Sequence, residues 1–88
     1  MENLRKSLEN LHKELKDSKN IDDDSVKVLR KLMSDIQAIL DKNEKAAIAN
    51  APKLQSSLKE TADKFEISHP KLTGAINIVI SSLTNIGV

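Results

Sequence analysis

The chain has 88 residues, of which 39% are hydrophobic and 31% charged, with a formal net charge of +1. One small domain fits that length, and the balanced charge excludes the clustered cations of a nucleic-acid binder and the composition of a disordered chain. With no cysteine and Phe65 as the sole aromatic, disulfides, thiolate metal sites, cysteine nucleophiles and base-stacking platforms are excluded as well.

The first segment places Leu4, Leu8, Leu11 and Leu15 in steps of four, three and four. That is helix periodicity, and it predicts a helix over about 2–17 with one narrow apolar stripe. Glu2 with Lys6 and Glu9 with Lys13 add favourable pairs one turn apart on the polar side. This segment contains no apolar h-region and no small-residue cleavage site, so it does not read as a signal peptide, and a cytoplasmic protein is expected. No run reaches the roughly 18 apolar residues of a membrane span.

A second helix is predicted over about 23–42. Asp22 is its N-cap, Asp23 and Asp24 sit in the first turn, and Ile21 and Val26 occupy the two positions of a hydrophobic staple. Val26, Val28, Leu29, Leu32, Met33, Ile36, Ile39 and Leu40 cover a wide arc, which predicts the central helix of the assembly. The alanine-rich stretch 43–51 either extends that helix or forms a pliable joint. Pro52 marks the next start, as proline favours the first helical position, and Leu54, Leu58, Thr61, Ala62 and Phe65 form a third stripe over about 52–66. In the turn that follows, either Ser68 or His69 caps the last helix. Pro70 opens it in the second case, and an Ile67–Leu72 staple accompanies the first.

The last helix, about 70–86, carries Leu72, Ala75, Ile76, Val79, Ile80, Leu83 and Ile86 on one side and Thr73, Asn77, Ser81, Thr84 and Asn85 on the other. Gly87 is a plausible stop. From Ser68 onward Lys71 is the only Asp, Glu, Lys or Arg. Helices this short are marginal alone, so all four must cover their stripes, and the fold class is all-α: four amphipathic helices in a hairpin or bundle. The uncharged polar face permits close packing on another chain. A homodimer is therefore expected, with the last helix near the twofold axis and Leu72, Ile76, Val79, Ile80, Leu83 and Ile86 at the interface. The alternative is a monomeric bundle whose polar face is solvated.

The segments Lys64-Phe65-Glu66, His69-Pro70-Lys71-Leu72 and Ser82 to Val88, together with Leu11 to Leu15 and Asp35 to Leu40, resemble a family of small bacterial proteins known only as a domain of unknown function, number forty-four-oh-four. The resemblance covers most of the chain. It implies an all-helical bacterial protein and brings no activity with it.

No residue pattern names a reaction. Glu66 and His69 stand three apart and have the types of a proton-transfer or metal pair, but a metal needs three or four ligands, and the pair is read with Phe65 and Pro70 as shaping a turn. His12 lies just off the leucine stripe and reads as a boundary histidine. Asp22, Asp23 and Asp24 lack the alternation, glycine and distal glutamate of a calcium loop and read as a helix start. Lys27, Arg30 and Lys31, with Asp23, Asp24 and Asp35 close by, read as a solvated mixed face. No metal, cofactor, nucleic acid or catalysis is expected. The function expected is a helical protein–protein interaction or oligomerisation module. The alternative is a membrane-surface protein that uses the last helix, although Lys71 is the single cation such a helix would offer.

Overall fold

A computed structural model describes residues 2–42 and 44–86, the side chains of 39, 42–48 and 86 excepted. Four helices follow one another: α1 (Glu2–Asp17), α2 (Asp23–Lys42), α3 (Glu44–Phe65) and α4 (Pro70–Ile86). No strand occurs among the described residues.

The helices form a four-membered ring 37 × 20 × 19 Å in extent. α4 packs closely on both α3 and α1, α2 packs on α3, and α1 meets α2 least closely. α2 meets two neighbours, as its wide arc predicts, but no helix of a ring is central, and the two most extensive packings belong to α4. The reason lies in charge: a helix whose one charged residue is Lys71 can press against two neighbours without burying ions. Successive helices run antiparallel, and side-chain bonds mark this. The Arg5 guanidinium near the start of α1 donates to the Leu40 carbonyl near the end of α2 at 3.4 Å. Gln55 of α3 donates to the Ile80 carbonyl at 3.1 Å and to the Thr84 hydroxyl in α4.

One core fills the ring. Leu4, Leu8, Leu11 and Leu15 are all buried, as are Leu29, Leu32, Met33, Ile36 and Leu40 of α2. Val28, assigned to the same arc from the sequence, is 45% exposed and lies outside the core. In α3, Leu54, Leu58, Thr61, Ala62 and Phe65 are buried, and the Thr61 hydroxyl returns to the Ser57 carbonyl at 3.0 Å. No buried side-chain nitrogen or oxygen lacks a partner among the described residues.

The α1–α2 loop is fixed by short-range bonds. The Ser18 amide and hydroxyl both donate to the Glu14 carbonyl and close α1. Asn20 then turns the chain with φ at 60°, a conformation that asparagine tolerates better than most residues. Asp22 caps α2: its carboxylate accepts the Ser25 amide at 3.2 Å, and its carbonyl accepts the Val26 amide at 3.0 Å. Ile21 and Val26, the staple positions, both pack against the core.

The third helix departs from expectation. Neither the start at Pro52 nor a pliable joint over the described part of 43–51 is found: α3 runs from Glu44, and Pro52 lies inside it. Ala46, Ala47, Ala49 and Ala51 stand just upstream, and alanine is the strongest helix former. Their summed propensity carries the helix through a residue that cannot donate its own N–H. Asn43 and the stop expected at Gly87 lie outside the described residues.

Candidate interaction surface

The residues singled out from the sequence divide into a structural turn, a core and an exposed face. The turn comes first. Phe65 is buried at the end of α3, Glu66 is exposed, and His69 is the N-cap of α4, its carbonyl accepting the Thr73 amide at 3.0 Å. Pro70 is the first helical residue. Of the two caps open from the sequence, His69 holds the place. Ile67 is 97% exposed, so the staple that would accompany Ser68 does not form.

The His69 ring explains why. Nε2 lies 2.9 Å from the carbonyl oxygen of Lys19, fifty positions away. A carbonyl only accepts, so Nε2 carries the proton and donates. In the neutral ring Nδ1 then accepts from the Ser68 hydroxyl, also at 2.9 Å. The ring stands edge-on to Phe65, centroids 5.8 Å apart at 86°. His69 thus ties the α3–α4 turn to the α1–α2 loop, and neither ring nitrogen is bonded to Glu66. The pair is not assembled for proton transfer, and no group of three or more His, Cys, Asp or Glu able to hold a metal occurs among the described residues. Replacing His69 with alanine removes the inter-loop bond and the edge contact. A loss of about 1–2 kcal/mol is expected in urea denaturation, with faster amide exchange in residues 18–22. Stability equal to wild type would mean that the tie contributes nothing.

The other sequence candidates stay apart. His12 is exposed and lines a groove with Lys16 and Arg30 between α1 and α2. Lys31 lines a different groove, between α2 and α3, beside Asp35. The basic cluster of α2 is therefore split between two sides of its helix.

The expected interface residues need a correction. Leu72, Ile76, Val79 and Leu83 are fully or almost fully buried within the single chain, and Ile80 is partly buried against the same core. The side chain of Ile86 lies outside the described residues. Helical periodicity says that a face is covered, and here this chain's own α1 and α3 cover it.

The opposite face of α4 is free of that core. Gly74, Asn77, Ile78, Ser81 and Asn85 are exposed, and Ile78 is 52% exposed. Ile78, Ser81 and Asn85 line a shallow groove with Asn3 and Asn10 of α1, in which Lys6 is the one charged lining residue described. Elsewhere the exposed helix faces carry ions: Glu9 and Lys13 on α1, Lys27 and Asp35 on α2, Lys59, Glu60 and Asp63 on α3. Sequence periodicity marked the polar side of α4 but left out Ile78, which a pattern of polar residues alone does not include.

No curated protein and no solved structure matches the chain. The model of the family described as Domain of unknown function (DUF4404) matches residues 4–88, and the chain belongs to that family.

Proposed function

We propose that the chain is a small, non-catalytic helical interaction module of the cytoplasm that works as a homodimer, joined through the exposed face of α4 and the adjoining edge of α1. One observation carries the reading: the least charged exposed face of the bundle has a half-exposed isoleucine at its centre. Charge depletion around an apolar anchor is what distinguishes the middle of an interface from the rest of a surface. The size is suitable, because a bundle side of 37 by 20 Å is comparable with the roughly 800 Å² that a standard interface takes from each partner.

The same structure argues against a membrane-surface role for α4. An interfacial helix must offer its apolar side to lipid. Leu72, Ile76, Val79 and Leu83 are committed to the core, which leaves Ile78 as the large exposed apolar residue among the described side chains of α4. No helix among the described residues is long and apolar enough to cross a membrane.

The test is absolute mass by light scattering across a concentration series. Wild type is expected to approach twice 9.7 kDa. Ile78→Asp is expected to stay at 9.7 kDa throughout and to unfold cooperatively, with an unfolding free energy within about 0.5 kcal/mol of wild type once both are compared at a dilution where wild type is also monomeric. A wild-type mass of 9.7 kDa at every concentration would overturn the reading.

A further inference from the structure

We infer that the second copy docks antiparallel along α4, with Ile78 against the partner's Ser81 and Gly74 against the partner's Asn85. The inference rests on the dimer reading above and adds its orientation and register. Three observations converge on it.

The first is spacing. Gly74, Ile78, Ser81 and Asn85 are separated by four, three and four positions, all exposed, on the side of α4 away from its buried stripe. That is the seam of a two-helix coil, laid on the outside of a bundle whose own core is already filled. In an antiparallel pair the two kinds of seam position oppose each other. The seam then meets itself large to small, the isoleucine over a serine and the asparagine over a glycine. A parallel pair would instead set isoleucine on isoleucine and leave a gap at glycine.

The second is Gly74. It stands inside α4, where glycine weakens a helix relative to alanine. A Cβ built on it would meet nothing within 4 Å, so nothing among the described residues requires its absence. A partner side chain lying across the helix would.

The third is charge. Lys71 occupies the first turn of α4, the positive end of the helix dipole, and the last turn holds no basic residue. Within the chain Lys71 shares a hollow with Glu14 and Asp17 of α1, while the C-terminal end of α4 has no cation of its own. Antiparallel docking brings Lys71 of each copy to the C-terminal end of its partner's α4, twice by symmetry. Parallel docking would set the two Lys71 side chains together.

The chain has no cysteine, so introduced thiols report cleanly. Gly74→Cys combined with Asn85→Cys, in which the smaller residue at 85 makes the room that the new side chain at 74 takes, is expected to give a disulfide-linked dimer on mild oxidation. Neither single variant should do so, because like positions would lie about 16 Å apart, beyond disulfide reach. Light scattering on the reduced samples separates the two levels. Dimers in which either single variant cross-links as fast as the double would overturn the register while leaving the dimer reading intact. Monomers for wild type would overturn both. Lys71→Glu gives a second measure that introduces no thiol. It should weaken association about three- to tenfold. Unchanged or tighter association would overturn the inference.

Discussion

Ile76→Asp is expected to leave the chain unfolded at 25 °C, with no cooperative melting transition in circular dichroism. Ile76 is fully buried in α4, among residues that α1 and α3 cover. The substitution empties part of that site and puts a carboxylate in it. Large-to-small truncation in a core costs about 2–5 kcal/mol. An uncompensated buried charge costs several more, or forces the carboxyl to stay protonated. A domain of this length has roughly 4–13 kcal/mol in total, at typical values per residue. The sum of the two costs takes most or all of it. The comparison with Ile78→Asp makes the result informative. The two positions are two residues apart on the same helix and receive the same substitution. One is expected to abolish the fold, and the other to abolish only association. If Ile76→Asp melts cooperatively near the wild-type midpoint, the packing of α4 described above is wrong, and the apolar side of this helix is the free one.

That contrast also marks what the sequence could and could not convey. The leucine stripe of α1 and the Asp22 cap were legible because each is a local pattern with a local cause: side chains four and three apart share a face, and a carboxylate beside free amides binds them. The identity of what covers α4 was not legible. Periodicity reports that Leu72, Ile76, Val79 and Leu83 face something apolar, and it is silent on whether that is the same chain or another. The tie from His69 to Lys19 was illegible for a different reason. Its acceptor is a backbone carbonyl, which every residue carries and which leaves no mark on the sequence. The same holds for the Arg5 bond to the Leu40 carbonyl. The exposed seam of Gly74, Ile78, Ser81 and Asn85 was visible only in part, because its meaning depends on knowing that the other side is already buried.

Pro52→Ala is expected to stabilise the protein by about 1–3 kcal/mol, with a gain in the helical signal at 222 nm. The sign follows from where α3 begins. Were Pro52 at the first helical position, its missing N–H would cost nothing, its fixed φ would help, and alanine would be neutral or slightly worse. Within a helix that starts at Glu44, the missing donor and the ring's clash with the preceding turn cost about 3 kcal/mol relative to alanine. Some of the gain is lost again, since proline also restricts the unfolded chain by about 0.4–1 kcal/mol. The exposed position of Pro52 means that the replacement removes no core contact, while its neighbour Ala51 stays buried. A urea titration at fixed slope reads the difference directly. A midpoint that falls would place the start of the helix back at Pro52. A midpoint that rises would confirm that the alanine-rich stretch is helix, held across a proline by the propensity of its neighbours.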